Sequence, residues 1–193
     1  MNLYFRLLRA YLYGLFGAGI HPEEPAESRF RVWFNDLDAF GHMNNGRYLQ
    51  IMDVARTEWM TRMGVVAAMR QYGWAALLGG GVVRFRHSLR VFQLYRVRTR
   101  LLYWDHRWFF LEHAFIDAAD RCVAVGTTRA AMRRRGEWVP AGEVVTAVRP
   151  GAERPSPPAY LRDWLTLEKR IFDTAATHAA EARAVAPGFA GAE

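Results

Sequence analysis

The chain of 193 residues contains very little cysteine and lysine. Cys122 is its only cysteine, which excludes an intramolecular disulfide, a CxxC redox motif and a cysteine-based metal site, and no other metal site is indicated. Lys169 is the only lysine, so the formal net charge of +7 comes almost entirely from arginine. Positive charge alone is compatible with nucleic-acid binding, but no recognised nucleic-acid-binding module accompanies it. We therefore expect no nucleic-acid partner.

A long hydrophobic run is also missing. Residues 1–20 are apolar but are interrupted by Arg6 and Arg9, whereas a membrane-spanning helix needs about 20 mostly uncharged residues. A signal peptide would require a small-x-small cleavage site, and none precedes the polar run at 21–28. Two interpretations stay open: a helix in the membrane interface with both arginines toward the headgroups, or a helix docked on the domain or on a partner subunit. We expect a cytoplasmic protein, associated with membrane in the first case.

What the chain does contain is enough apolar material for a well-packed domain. Hydrophobic residues make up 51% of it, with 12 Phe, 8 Tyr and 7 Trp, which argues against general disorder. An N-terminal apolar helix or appendage is expected at 1–28, a domain at 29–135 and, where the composition shifts, a C-terminal region at 136–193. One folded domain with two appendages is therefore expected.

The C-terminal region changes composition after residue 135. Prolines between 140 and 158 indicate a linker rather than sheet. Apolar residues then recur at helical spacing and predict an amphipathic helix, namely Leu161, Trp164, Leu165, Ile171 and Phe172. The remainder, Ala175–Glu193, is expected to be poorly ordered.

The central region predicts one long helix, Arg47–Met63, followed by a sheet. The apolar stripe of this helix consists of Tyr48, Met52, Ala55 and Trp59. Gly64 is placed to end it. The triple glycine at 79–81 then suits a bulge, or a close approach of a ligand to the backbone.

Strict alternation at 95–103 predicts a strand with one buried face. Its apolar face carries Tyr95, Val97, Thr99, Leu101 and Tyr103. Its opposite face carries Arg96, Arg98 and Arg100, which either meet solvent or bind the phosphates of a carrier such as coenzyme A. Short neighbouring strands with tight links predict an antiparallel sheet.

The stretch Asn35–Met60 is the part of the sequence in which chemistry is concentrated. A strand at Phe30–Phe34 leads into a polar turn, where Asn44 or Asn45 can cap the first N–H groups of the helix. A helix N-terminus carries unpaired donors and partial positive charge, which stabilise a carbonyl oxygen that becomes negative during acyl transfer. An acid beside it can attack the carbonyl or deprotonate water.

Two segments carry a resemblance to a known family. The pattern D-x-D-x-x-G-H-x-N-N-x-x-Y, which begins at Asp36 and ends at Tyr48, resembles that of the hotdog-fold acyl-CoA thioesterases of the 4-hydroxybenzoyl-CoA thioesterase superfamily. The segment Arg84–Asp117 resembles the strands of the thioesterase superfamily member 6-like subgroup. Together the two segments cover roughly Arg29–Arg135.

The resemblance implies an α+β hotdog fold, in which a long central helix is wrapped by a curved antiparallel sheet of about five strands. It further implies hydrolysis of an acyl-CoA thioester without a cofactor, by a homodimer or tetramer whose sites lie between subunits. The surplus of apolar side chains suggests a fatty or other apolar acyl group.

The motif also implies a role for individual residues. Asp38 is the expected nucleophile or general base, and Asp36 a turn residue. His42 is either a structural anchor of the turn or a group that polarises the substrate or orients water. Substrate contacts are assigned to Asn44, Asn45 and Tyr48, although both asparagines also suit caps and turns. Glu58 is the alternative catalytic acid, but its position predicts a solvated residue.

Three rival functions stay open at this stage. A non-catalytic acyl-binding protein would keep the pocket without turnover, and a hotdog hydratase or dehydratase would use an acid and a histidine such as Asp38 and His42. A membrane-associated scaffold depends only on the N-terminal segment.

Overall fold

The computed structural model describes residues 3–21 and 24–185, with side chains described through residue 178. Contacts divide the chain into two compact units, Met1–Pro155 and Ser156–Glu193. The first unit contains, in order, α1 (Leu3–Phe16), β1 (Ala26–Arg31), a short 3-10 turn (Phe34–Asp36), α2 (Asn45–Arg62), α3 (Val65–Tyr72), β2 (Ala75–Phe85), β3 (Leu94–Trp104), β4 (Phe109–Asp117), β5 (Cys122–Arg134), β6 (Glu137–Val139) and α4 (Ala141–Val148). The second unit contains α5 (Ala159–Val185).

The sheet is antiparallel and has the strand order β1-β3-β4-β5-β2. A sixth strand, β6, pairs with Met132–Arg134 of β5, beyond Ala130, which pairs with the first residue of β4, Phe109. The curled sheet packs against the predicted apolar stripe of α2, whose four side chains are all buried. The α+β hotdog architecture is thereby confirmed, with one short strand more than expected.

Helix α1 packs along α2 and belongs to the first unit. Its buried residues are Arg6, Ala10 and Gly14, and a Cβ atom on Gly14 would lie 2.5 Å from Thr61 Cβ, so the two helices approach closely. Of the two interpretations, the structure shows the second, in which the helix docks on the domain. Arg6 is 2% exposed, so its expected placement at the headgroups in the first interpretation is wrong, whereas Arg9 is exposed and lies over the Phe30 ring. No helix in the described part of the chain is long and apolar enough to cross a membrane.

Two strand predictions need correction. A bulge between Leu101 and Tyr103 of β3 reverses the alternation, so that Leu102 is buried and Tyr103 leaves the predicted apolar face. At the glycine triplet, a bulge does occur between Leu78 and Gly80, but no gap for a ligand exists at Gly79. The indole of Trp108 lies there, 2.2 Å from where a Cβ atom would stand.

The predicted arginine row of β3 lies outside the core, as expected. Most of its charge is neutralised locally: Arg96 pairs with Glu27 at 3.0 Å and with Asp120 at 2.6 Å, and Arg100 pairs with Glu112 at 2.8 Å. These ion pairs favour a surface role for the row over phosphate binding.

The region after residue 135 is more structured than predicted. Glu137–Val139 is a strand and Ala141–Val148 a helix, so the expected linker there is wrong, because Pro140 ends β6 and precedes the first residue of α4. The amphipathic helix is confirmed as α5. It continues to Val185, which contradicts the expectation of poor order at 175–185, while residues 186–193 lie outside the described residues.

Candidate active site

The two acids of the motif, Asp36 and Asp38, lie in a small hairpin between β1 and α2. Asn44 N donates to Asp36 O at 2.8 Å, and Asp38 N donates to His42 O at 2.8 Å. Leu37 and Met43 form an antiparallel bridge between these two hydrogen bonds. The hairpin thus fixes Asp36 and Asp38 relative to each other and to the first turn of α2.

Asp38 stands at the tip of this hairpin. Its Oδ1 accepts the backbone N–H of Phe40 at 2.9 Å and that of His42 at 3.2 Å. Gly41 adopts a φ of +76°, a left-handed conformation that lets the chain turn so tightly. Within the described residues, Oδ2 has no hydrogen-bond partner. The carboxylate is therefore oriented through one oxygen and open at the other.

The N-terminus of α2 lies directly after the hairpin. Asn44 is the N-cap: its Oδ1 accepts the N–H of Gly46 at 2.8 Å and its carbonyl accepts the N–H of Arg47 at 2.9 Å. The predicted cap is thus Asn44 rather than Asn45. Among the described residues, the N–H of Asn45 has no acceptor. It is a donor at the positive end of the helix dipole, where an oxyanion would be stabilised.

The remaining motif residues differ in accessibility. His42 is half-buried and anchors the turn through its backbone, while its imidazole makes no hydrogen bond to the described residues. Asn45 is exposed. Tyr48 is 2% exposed, and its ring packs on Phe85 and Phe115 in the core. Burial raises the pKa of Tyr48, opposed by a hydrogen bond with the Leu89 backbone. Its contact with substrate stays a prediction.

Asp36 has a role that sequence reasoning missed. It is 1% exposed and pairs with Arg6 of α1, which is 2% exposed. Its Oδ2 also accepts the N–H of Trp33 at 2.8 Å, and Arg47 Nε lies 3.6 Å from Oδ1. The sequence carried part of the signal, since an arginine inside an otherwise apolar helix suggests a buried ion pair, but it did not identify Asp36 as the partner.

Glu58, the alternative acid, is not the solvated residue that was expected. It is half-buried, its carboxylate accepts the Ser28 hydroxyl at 2.8 Å, and Gly14 of α1 lies against its backbone. Burial raises its pKa, and the Ser28 hydrogen bond opposes this shift. The prediction overlooked α1, which covers this side of α2.

A cavity of about 290 Å³ lies beside the C-terminal half of α2. Its exposed margin includes Asp53 and the β2 residues Ala76, Leu77 and Leu78. Its buried wall is apolar and comes from α2, α3, the sheet and α4, with Trp59, Met63, Val65, Leu101, Leu111, Met132, Val144 and Val145. None of the hairpin residues lines it. The polar hairpin therefore lies at the N-terminus of α2, and the apolar cavity lies beside the C-terminal half of the same helix.

A polar chain runs from the cavity wall into the core. Arg56 pairs with Asp53, and its Nη1 donates to Thr128 Oγ1 at 3.3 Å. Behind Thr128, the His113 ring lies 3.2 Å from that hydroxyl through Nε2 and 3.0 Å from Thr99 Oγ1 through Nδ1. Burial, aided by the charge of Arg56, lowers the pKa of His113 to about 3, so the ring is neutral. Burial also lowers the pKa of Arg56, against the charge of Asp53.

Comparison with known proteins places this geometry in context. The family model of the thioesterase-like superfamily matches residues 32–165. A protein THEM6 from Xenopus laevis is 41% identical over 90 residues, 47% of this chain and 44% of that protein. A protein THEM6 from Drosophila melanogaster is 33% identical over 132 residues, 67% of this chain and 66% of that protein. The chain thus spans about half to two-thirds of the length of these relatives.

Solved structures share the fold. A gentisyl-coenzyme A thioesterase superposes with a TM-score of 0.57 at 24% identity, over 62% of this chain and 98% of that one. At this identity the likeness concerns the fold alone. It agrees with the curled sheet around α2, and the predicted resemblance to hotdog thioesterases is confirmed.

Proposed function

Since this chain belongs to the thioesterase-like superfamily, we propose that it hydrolyses a thioester of coenzyme A and an apolar acyl group to the free acid and thiol. The observation that supports this most is the hairpin: Asp38 has one oxygen held by two N–H groups and one oxygen open, next to the unpaired N–H of Asn45. An acid and an oxyanion donor are the two groups that thioester hydrolysis needs.

The reaction follows one of two balanced routes. Asp38 Oδ2 attacks the carbonyl carbon, the C–S bond breaks to release the thiolate, and water then hydrolyses the mixed anhydride. Alternatively, Asp38 takes a proton from water, which attacks the carbonyl, and the tetrahedral intermediate expels the thiolate. In both routes the negative oxygen is held by the Asn45 N–H. We propose that His42, whose imidazole makes no hydrogen bond to the described residues, orients that water.

The apolar cavity is the proposed site of the acyl group. Asp53, its nearest lining residue on α2, is eight residues beyond Asn45, or roughly 12 Å along the helix at 1.5 Å per residue. The oxyanion donor and the cavity of one chain are thus well separated. A second copy can bring them together, so that the hairpin of one subunit faces the cavity margin of the other.

Strand β2 supplies a surface for this pairing. It is a sheet edge of 11 residues that bonds to β5 on one side, and its exposed residues include Leu77, Leu78, Val82 and Phe85. A long apolar edge invites pairing with another strand. We therefore propose a homodimer joined along β2, with a tetramer as a further assembly.

The proposal also extends to the membrane. The outer face of α1 exposes Phe5, Leu8, Leu15 and Phe16, whose exposed fractions run from 52% to 87%. Since Arg6 is buried and the exposed Arg9 donates to the Arg29 carbonyl, the contact would be mainly apolar rather than electrostatic. We expect binding to neutral as well as anionic vesicles, and its loss in a Phe5→Ser/Phe16→Ser variant whose melting temperature is unchanged. Vesicle binding that the double substitution leaves intact would contradict this contact.

The deciding experiment is a thiol-release assay over acyl-CoA substrates of increasing chain length. Asp38→Asn keeps the size of the side chain but removes the nucleophile or base, so the rate constant should fall by about 10²- to 10⁴-fold with little change in the half-saturation concentration. Asp120→Asn is the matched control, since Asp120 is 78% exposed and pairs with Arg96 on the outer face. It should retain full activity.

Three other results of this assay would each indicate a different function or a different catalytic acid. Tight acyl-CoA binding without thiol release identifies an acyl-binding protein, and a change in enoyl absorbance identifies a hydratase. If Asp38→Asn keeps more than about half of the turnover while Glu58→Gln loses it, the catalytic acid is Glu58. Any of these results overturns the proposal as stated.

A further inference from the structure

The buried ion pair joins a helix outside the family match to a residue inside it. Arg6 is on α1, which precedes residue 32, where the family match begins, whereas Asp36 is inside that match. Both side chains are almost fully buried, and Arg6 Nη2 also donates to the Arg31 carbonyl at 3.4 Å. A buried charge is tolerated only when it is paired, so each side chain requires the other.

Asp36 connects the ion pair to Asp38 through the hairpin. Its carboxylate is held from three sides, by Arg6, by the Trp33 N–H and by Arg47. Its backbone carbonyl accepts the Asn44 N–H, the first rung of the hairpin that carries Asp38. A shift of Asp36 therefore moves both Asp38 and the N-cap of α2, because the two rungs and the bridge between them leave little freedom.

We propose that Arg6 is a positioning residue for thioester hydrolysis, and that α1 is part of the apparatus that holds the Asp38 hairpin in its working geometry. The inference rests on the proposed function. Arg6 touches no reacting atom in this arrangement. It sets the place of Asp38 through Asp36, from a helix that lies outside the family match.

The neighbouring arginine provides a matched control. Arg9 is one turn further along α1, but it is exposed and makes its contacts at the surface, with the Arg29 carbonyl at 2.8 Å and the Phe30 ring. It has no contact with the hairpin. Replacing Arg9 tests whether the loss of any positive charge from α1 lowers activity, or only the loss of the Arg6 charge that pairs with Asp36.

The test compares Arg6→Met, Arg6→Lys and Arg9→Met in the full chain, with thiol release as the readout. A misplaced catalytic group can cost about a hundredfold in rate, so we expect Arg6→Met to lower kcat by between about tenfold and a hundredfold, with KM changed less than about twofold. Arg6→Lys should recover part of kcat, because it restores the charge. Arg9→Met should stay within about twofold of the wild type.

Hydrogen exchange of the amides at 36–44 is the second measurement, made on the same proteins. Arg6→Met should speed exchange at the Asp38 and Asn44 amides, which the hairpin rungs protect, and Arg9→Met should not. Where Arg6→Met does not fold, the Arg6→Met/Asp36→Asn variant, which has no unpaired buried charge, takes its place with the same expected fall in kcat.

The outcomes separate the two proposals. A wild type that releases thiol, with kcat and hairpin exchange unchanged in the folded Arg6 variants, overturns this inference and leaves the proposed function standing. A wild type that releases no thiol overturns both, since there is then no reaction for Arg6 to support.

Discussion

The two ends of α2 are built in different ways. At its N-terminus, Asp36, Asp38 and Asn44 come from nine consecutive residues and are connected by local hydrogen bonds. At its C-terminal half, the cavity is assembled from three helices and the sheet, and its lining residues range from 53 to 148. The hairpin end is polar and rigid, while the cavity end is apolar and shared among many elements. The proposed catalytic groups thus lie within a short segment, whereas the proposed acyl site depends on residues from much of the domain.

The largest expected effect on stability is at the hairpin end. Arg6→Met leaves the buried Asp36 without a cation at hydrogen-bond distance, since Arg47 Nε lies 3.6 Å away, and should cost about 3–5 kcal/mol of unfolding free energy. For a chain of this length, the melting temperature should fall by roughly 6–20 °C. Thermal unfolding followed by circular dichroism measures this.

Two variants sharpen that result. Arg9→Met should cost less than about 1 kcal/mol, since it loses two long cation–π contacts, with Tyr13 and Phe30, and a surface hydrogen bond. Arg6→Met/Asp36→Asn should be more stable than Arg6→Met alone, because the unpaired charge is gone. Equal melting temperatures for Arg6→Met and the wild type would show that the pair contributes nothing.

At the cavity end the expected effect concerns specificity. Ala130 of β5 is half-buried and lines the cavity, so Ala130→Phe should fill part of it. Each buried methylene contributes about 0.8 kcal/mol, or roughly fourfold in kcat/KM, so losing room for two methylenes should cost about sixteenfold on the longest accepted acyl group. Acetyl-CoA should be affected by less than about twofold. The assay is the same chain-length series.

The control for filling the cavity is Ala114→Phe. Ala114 is also half-buried but lies opposite Arg98 on the outer face of β4, away from the cavity. It should leave the dependence on chain length unchanged. If both variants reduce all substrates equally, or if the wild type shows a flat dependence on chain length, the acyl group binds elsewhere.

The polar chain behind the cavity predicts a dependence of stability on pH. His113 has a folded-state pKa of about 3, whereas an unfolded histidine titrates near 6.5, so only the unfolded state gains a proton as the pH falls between these values. Stability should therefore fall with decreasing pH from about 6.5 toward 3, by up to about 1.4 kcal/mol per pH unit from this residue.

Denaturant unfolding between pH 6.5 and 5 measures this slope. His113→Gln, which keeps a hydrogen-bonding side chain but does not titrate, should have a shallower slope than the wild type. His87→Gln, at an exposed position, should not. A slope that is the same in all three proteins would mean that His113 is protonated in the folded state as readily as in the unfolded one.

The same contrast explains what the sequence could predict. The stripe of α2, a cap by one of the two asparagines and a polar turn before the helix were predictable, because periodicity and short motifs act within a few residues, whereas the catalytic role of Asp38 stays a prediction. The pairing of Arg6 with Asp36 spans 30 residues, and neither residue alone indicates its partner. The arrangement of Trp108 over Gly79 and the role of α4 in the cavity wall depend on strand register and on packing, which single-sequence patterns do not encode.

The smallest expected effect separates capping from chemistry at the hairpin end. Asn44→Ala removes the acceptor of the Gly46 N–H and should cost about 1 kcal/mol, a fall of roughly 2–4 °C in melting temperature. Asn44→Asp keeps an acceptor and adds a negative charge at the positive end of the helix, so stability should be retained. That charge, however, would stand beside the Asn45 N–H, where the oxyanion is proposed to form. Turnover should therefore fall in Asn44→Asp although the protein is as stable as the wild type, and an Asn44→Asp variant with full activity would place the oxyanion away from this end of α2.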